Sequence, residues 1–306
     1  MRRSIRRLGV SALAAVVVLA AVPAGHATFK GRNGLIAFSG NSRTDLDLFI
    51  GKPGAKPHEI RLRSTDERNP AWSPNGKRIA LQREPVNGMS GASLWTIGAD
   101  GRGAKRLATN ASNPGWSPDG KKIVFDNFGG VFTSEPTLGI FVIGANGGTP
   151  QQIPTEGMDT AEQPDWSPDG KRIAFAAIEH SSNRIRLYVM NADGSGIHRL
   201  TDERGADPSW SPDGKRIAFV RQFNTTNSDV FVVNAAGTGE RQLTTRTGRD
   251  YAPSWSPDGK KILFTRTFNG QGPFAATMTP AGARQVRLFP HSGLMLEDTA
   301  SWQSLR

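Results

Sequence analysis

The feature that most constrains this chain is a run that recurs along it: WSPDGKRIAF stands at 166–175 and again at 210–219. Aligned on the tryptophan, the copies read NPAW (69–72), NPGW (113–116), QPDW (163–166), DPSW (207–210) and APSW (252–255), with a degenerate last member TASW (299–302). The intervals between these tryptophans are 44, 50, 44, 45 and 47 residues. A unit of that length cannot close a hydrophobic core alone and must stack on its neighbours. A period in the forties fits one four-stranded blade of a propeller.

Each unit reads as four strands. The residues ending at the tryptophan form a short strand A. Ser-Pro-Asp-Gly has the composition of a type I turn, with proline preset at the second position and glycine at the fourth. Strand B follows, its alternation placing Ile217 and Phe219 on one face and Arg216 and Ala218 on the other. SLWTIG (93–98), GIFVIG (139–144), RLYVMN (186–191) and DVFVVN (229–234) read as strand C, and IHRLT (197–201) and RQLT (241–244) as strand D. At the start, GLIAFSG (34–40), DLFIGKPG (47–54) and HEIRLR (58–63) supply B, C and D with no tryptophan strand before them. At the end, TASWQSLR supplies an A strand with nothing after it. If the segment around Trp302 pairs with that around Leu35–Phe38, the two fragments complete one blade and the ring has no open edge. The expected fold is an all-β, six-bladed propeller of four-stranded antiparallel blades.

The run P-x-W-S-P-D-G-K-[KR]-I-x-F resembles the repeat of TolB-like β-propellers, secreted or periplasmic relatives of the WD-repeat ring, over roughly residues 33–306. The resemblance implies a binding platform. TolB itself carries an α/β domain ahead of its propeller, whereas here the repeats begin soon after the N-terminal leader, so that domain's interactions are not carried over.

The leader is read from residues 1–27: a cationic MRRSIRR, an apolar LGVSALAAVVVLAAV, and small residues at Gly25 and Ala27 that place cleavage before Thr28. Residues 28–306 are then the propeller, secreted or held in the cell envelope, with no membrane span once the leader is gone. An uncleaved anchor is the alternative. The chain has no cysteine, which removes disulfides, thiol catalysis and cysteine metal sites. Its formal charge is +11, of which the leader supplies four arginines and no acid, so the remainder is about +7. Outside the cytoplasm nucleic acid is not the expected partner of such a charge. An anionic envelope polymer is one candidate. A monomer is expected.

The repeated chemistry is structural. Asp119, Asp169, Asp213 and Asp258 occupy one turn position, where Asn75 replaces them in another copy; asparagine keeps the turn and cannot act as a base. Trp72, Trp116, Trp166, Trp210, Trp255 and Trp302 are expected to pack between blades. Lys77-Arg78, Lys121-Lys122, Lys171-Arg172, Lys215-Arg216 and Lys260-Lys261 would ring one rim, serving solubility or meeting an anionic polymer. The five histidines show no metal-ligand spacing. No catalytic residue is assigned, and a lyase or hydrolase acting on polysaccharide or lactone remains the enzymatic alternative.

Function on a repeated scaffold is expected where copies differ. The B–C and D–A connections diverge most, and the segments before strand A are rich in acids. Expected partner-binding residues are therefore Glu162, Asp207, Asp250 and Asp298, with Arg68 among them, and Phe128, Phe132, Phe223 and Phe268 as apolar anchors for a protein or peptide. A cation held by the channel-mouth carboxylates is the second version; oxygen ligands suit Ca²⁺.

Overall fold

The structure, a computed structural model, describes residues 29–41, 45–62, 65–85, 91–127, 138–180, 182–268, 271–289 and 295–305. Among them there is no helix. The chain begins with β1 (Arg32–Asn41), β2 (Leu46–Gly51) and β3 (His58–Ile60). Two four-stranded units follow: β4 (Thr65–Trp72), β5 (Arg78–Pro85), β6 (Ser93–Gly98), β7 (Lys105–Thr109), then β8 (Ser112–Trp116), β9 (Lys122–Asn127), β10 (Gly139–Gly144), β11 (Gln151–Ile153). The next is β12 (Met158–Trp166), β13 (Arg172–Glu179), β14 (Arg186–Asn191), β15 (His198–Arg199). Then come β16 (Ala206–Trp210), β17 (Arg216–Gln222), β18 (Ser228–Asn234), β19 (Arg241–Gln242), and β20 (Arg249–Trp255), β21 (Ile262–Phe268), β22 (Gln271–Met278), β23 (Val286–Arg287). The last strand, β24 (Met295–Leu305), pairs antiparallel with β1, opposing Trp302 to Ile36 and Ala300 to Phe38. The first sheet is thus completed by the two ends of the chain, in the order β24-β1-β2-β3. The units β16–β19 and β20–β23 touch edgewise through one parallel bridge, Ser228 to Arg249, and otherwise each unit is a separate antiparallel meander.

The inner strands pack in a cycle, β4 on β8, β8 on β12, β12 on β16, β16 on β20, β20 on β24 and β24 back on β4. Each seam between units is filled by a tryptophan. Trp72 is buried among Leu48, Ile50 and Ile60 of the preceding sheet, Trp166 among Val124, Ile140 and Ile153, and Trp210 among Ala174, Leu187 and Val189. Trp255 lies with Val230 and Val232, and Trp302 with Leu263, Ala275 and Leu288. A basic residue closes three of these seams. The guanidinium of Arg78 lies 5.5 Å from the centre of the Trp116 ring, that of Arg172 4.6 Å from Trp210, and that of Arg216 4.6 Å from Trp255. These arginines are therefore packing residues and do not join the rim of free charges that the sequence leads one to expect. The lysines of the same turns, Lys77, Lys121, Lys171, Lys215 and Lys260, are exposed.

The turn between the inner two strands repeats its bonds from sheet to sheet. In the third sheet's copy, Ser117 Oγ donates to Asp119 Oδ1 at 2.6 Å, Lys121 N donates to the same oxygen at 3.0 Å, and Gly120 N donates to Ser117 O at 2.9 Å. Asn75 keeps the arrangement, accepting from Ser73 Oγ and Lys77 N. The turn glycine lies in the left-handed region, at φ +71° for Gly120, and packs on the proline of the preceding turn, Pro74. The Asp119 carboxyl is held below the usual range by Ser117 and Lys121 N. At Asp169, Asp213 and Asp258 burial pushes the other way, but the same bonds outweigh it. These acids are ionised and committed to the turn.

Strand A departs from expectation by extending far upstream of the tryptophan, and it does so through a bulge. Pairing jumps from Arg68–Gln82 to Ala71–Ala80, so two residues oppose one; the same step falls at Asn113-Pro114, Gln163-Pro164, Asp207-Pro208 and Ala252-Pro253. Proline has no N–H to lose at a bulge, which is why it is tolerated within an otherwise paired inner strand. Strand D departs the other way and is shorter, two residues at β15 and β19.

Two outcomes test this account. Trp210→Ala is expected to lower unfolding free energy by about 3–5 kcal/mol, as for other buried large-to-small aromatic changes, measured by denaturant titration. Lys122→Arg is expected to raise it by about 0.5–1 kcal/mol by giving Trp166 the cation its counterparts have; Arg172→Lys should move stability the opposite way.

Candidate functional site

In an antiparallel meander the A–B and C–D turns share one face and the B–C and D–A connections the other; these are called the turn face and the loop face. The bulge governs what the loop face shows around the axis. Its first residue has positive φ in every described copy: Asn69 +51°, Asn113 +50°, Gln163 +55°, Asp207 +52° and Ala252 +53°. A non-glycine residue there costs about 1–2 kcal/mol, least for Asn and Asp. The strain accompanies a belt of bonds from sheet to sheet. Asn69 Nδ2 donates to Asn113 Oδ1 at 2.8 Å, and Asn113 Nδ2 donates to Asp126 Oδ2 at 2.7 Å. Gln163 N donates to the same Asp126 oxygen at 2.6 Å, Asp207 N to Gln163 Oε1 at 3.0 Å, and Ala252 N to Asp207 Oδ2 at 3.4 Å. Below it, Trp210 N donates to Asp165 Oδ2 at 2.7 Å and Trp72 N to Ser301 Oγ at 3.3 Å.

The acids expected on the rim are therefore divided. Asp207 is fully buried in the belt, and Asp250 is buried in a two-bond pair with Arg266, both contacts 2.6 Å, with Arg266 also donating to Gln285. Neither is offered to a partner. The sequence reading missed this because it placed them in a loop, whereas they lie in strands: Asp207 at the bulge of β16, and Asp250 in β20 directly opposite Arg266. Glu67 is likewise buried in β4, bonded by Thr65 and Arg83, and burial pushes its carboxyl up to about 7. Glu162 is half-buried at the mouth, beside Asp126. Arg68 is held by Asp66 and Glu84, each 3.3 Å away. The side chain of Asp298, and Phe128 and Phe132 entirely, lie outside the described residues. Phe223 and Phe268 are exposed, at 50% and 42%.

One part of this face was not anticipated. Two adjoining cavities lie here, one of about 420 Å³ within the second sheet and one of about 400 Å³ where the second and third sheets meet. Thr65, Arg83, Ser93 and Trp95 line the first and Leu107, Phe125, Phe141 and Pro150 the second, while Arg106 and Thr109 are common to both. Trp95 donates from Nε1 to Ser93 Oγ at 2.9 Å, and the Arg83 guanidinium lies 4.5 Å from its ring centre. The signal in the sequence was Trp95 itself, the tryptophan outside the repeat, though its apolar neighbours pointed to packing alone.

Among the described residues no group of three or more His, Asp or Glu is placed to hold a metal ion. Of the carboxylates expected to bind Ca²⁺, Asp207 accepts from Ala252 N through Oδ2 and Asp250 accepts from Arg266 through both oxygens. Of the described histidines, His58, His180 and His198 are exposed, and His180 pairs with Asp159.

A family model described as the TolB beta propeller domain matches residues 62–204 and 164–288. The chain belongs to the TolB β-propeller family. Among solved structures, this TolB-family chain is similar to TolB from Acinetobacter baumannii, with a TM-score of 0.73 and 20% identity over 89% of this chain and 67% of that one. It is similar to a structure described as TolB from Agrobacterium tumefaciens, with a TM-score of 0.67 and 22% identity over 85% of this chain and 89% of that one. An oligogalacturonate lyase from Vibrio parahaemolyticus shares the fold at a TM-score of 0.54 and 12% identity, over 85% of this chain and 74% of that one. At these identities the likeness is one of fold. No curated protein sequence matches the chain. Among the described residues of this propeller, no helix is long and apolar enough to cross a membrane.

The buried acids give a pH dependence. Burial pushes Asp126 up to about 6, against the bonds from Gln163 N and Asn113. Burial, and then the charge of Asp126, push Glu162 up to about 7. Folded values above the unfolded ones mean that this stabilisation is complete below about pH 4 and is lost as pH rises through 6 to 7. The melting temperature is expected to be higher at pH 5 than at pH 8, and Glu162→Gln should flatten the difference, as scanning calorimetry would read.

Proposed function

We propose that this TolB-family propeller is a non-catalytic binding platform of the cell envelope that engages a protein or peptide through its loop face. The observation that carries the reading is where large apolar side chains remain exposed. Of the five that do among the described residues, Leu138, Phe223 and Phe268 stand on or at the end of B–C connections, in the third, fifth and sixth sheets, and these include both aromatics; Val286 and Leu305 lie toward the turn face. Isolated exposed apolar residues are ordinary on any surface. Aromatic residues on neighbouring connections of one face are the anchors that a protein interface buries at its centre. Phe128 and Phe132 fall in the same connection as Leu138 and extend the candidate set on sequence alone.

The envelope location is supported by the cationic, apolar and small-residue pattern of residues 1–27. Arg68 and Glu162, at the mouth, would contribute polar contacts at the edge of such an interface, where ion pairs add specificity more than affinity. Asp207 and Asp250 do not belong to the contact set, and reversing their charge would break the ring.

The test is a chain carrying Phe223→Ala and Phe268→Ala. Its thermal unfolding is expected to match the parent within about 0.5 kcal/mol, since both side chains are exposed. Its capture of envelope proteins, read by crosslinking and mass spectrometry, is expected to drop at least tenfold for the specific partner. An unchanged partner set at unchanged stability would sink the reading.

A further inference from the structure

We propose that the turn face of this propeller docks on an anionic lipid membrane, which leaves the loop face turned away from the bilayer. The first ground is charge. With Arg78, Arg172 and Arg216 committed to indoles, the five Ser-Pro-Asx-Gly turns still present seven exposed lysines against the exposed Asp119, Asp169, Asp213 and Asp258. The lysine following each turn glycine is exposed, and so are Lys122 and Lys261. The C–D turns on this face add a small excess: Lys52, Lys56, Arg102 and Arg284 stand against Asp100, Asp193 and Glu240. The loop face has no such excess: exposed Glu156, Asp202 and Glu203 on its connections stand against exposed Arg61, Arg184, Arg204 and Arg246.

The two faces act separately. Inner strands of five or more residues rise about 3.3 Å per residue, so roughly 15–20 Å separates the faces. The screening length is about 8 Å at physiological ionic strength. A surface at the turn face therefore meets cations with little correction from the charges beyond.

The second ground is where the chain enters, and it selects lipid over a soluble polyanion. Phe29 is buried in the cluster that includes Ala71 and Trp116, next to the second and third turns. Gly31 N donates to Pro257 O at 3.1 Å, in the sixth sheet's turn, and Lys30 O accepts from Ser304 Oγ at 3.4 Å. Lys30 and Arg32 line a cavity of about 470 Å³ with the turns Ser211–Asp213 and Pro257–Gly259. Residues 1–28 thus join the disc on its cationic face. Their sequence, basic and then apolar over 8–22, is that of a segment delivered into a bilayer. Whether this segment is cut or kept, the face it leaves from is the one brought to the lipid. The inference concerns the opposite face from the proposed protein interface, so each can fail without the other.

The experiment uses residues 28–306, which contain every described strand and both partners of the closing pair. Co-sedimentation is measured with vesicles of phosphatidylglycerol and phosphatidylcholine in equal parts, and with phosphatidylcholine alone. Binding is expected only to the anionic vesicles and is expected to weaken as salt is raised. Each basic residue near an anionic surface adds about fivefold, so reversing Lys77, Lys121, Lys171, Lys215 and Lys260 to Glu together should weaken binding at least a hundredfold. Because the chain lacks cysteine, an environment-sensitive dye can be placed at Asn75→Cys on the turn face or Glu203→Cys on the loop face. Vesicles should shift only the first, and this readout stands even where the fivefold variant fails to fold. Absence of binding at low salt, equal binding by a folded charge-reversed chain, or a shift at Glu203→Cys alone would overturn the proposal. So would binding to dextran sulfate with none to vesicles, which would assign the face to a soluble polyanion.

Discussion

Everything in this molecule depends on the burial of one tryptophan in each seam between adjacent sheets. A four-stranded meander of short strands has two apolar faces and cannot hide both by itself. The indole at the end of each inner strand fills the space against the sheet before it, and in three seams an arginine from that preceding sheet lies over the ring. The stabilising contacts are therefore between units, and each unit is stable only as a member of the cycle. Closure by β24 on β1 follows from the same need, because an open ring would leave one indole seam half-empty and one inner edge unpaired.

The inner strands bring a second constraint. Packed side by side around an axis, they leave backbone and side-chain polar groups away from water, where an unmet hydrogen bond costs about 1–3 kcal/mol. The bulge before each tryptophan answers this by aiming one side chain of each sheet at the next. Asn69 reaches Asn113, Gln163 reaches the Asp207 backbone, and Asp207 reaches the Ala252 backbone. Ala252, with no polar side chain, ends the described belt. Acids that look like surface charge along the chain are part of this interior.

Much of the fold was legible because its cause is local and repeated. Pro-x-Trp marks the inner strand's end, Ser-Pro-Asp-Gly the reversal, and Ile-x-Phe the second strand, and each copy reinforces the others. Strand C was legible to the residue at 93–98, 139–144 and 186–191. The upstream half of strand A was not, since proline reads as a strand breaker unless a bulge is known to take it in. Of the candidate site, Phe223 and Phe268 were legible as non-repeating aromatics in polar loops. Asp207 and Asp250 were misplaced, because nothing in a sequence tells an acid beside a loop from one turned inward at a bulge or paired across strands with a distant arginine. The cavity beside Trp95 is made by the strands of the second sheet, and its neighbour only where that sheet meets the third.

By itself the sequence determined the number of repeats, their order, the turn chemistry, the pairing of the chain's two ends and the family, because periodic packing can be read one unit at a time. Only the tertiary structure decided which charges are free. Arg78, Arg172 and Arg216 stack on indoles of the next sheet, Asp207 and Asp250 are buried in inner strands, and the exposed turn lysines collect on one face. The physical reason is that exposure is a property of the whole ring: a residue's neighbours across a seam or around an axis lie forty or more positions away in the chain.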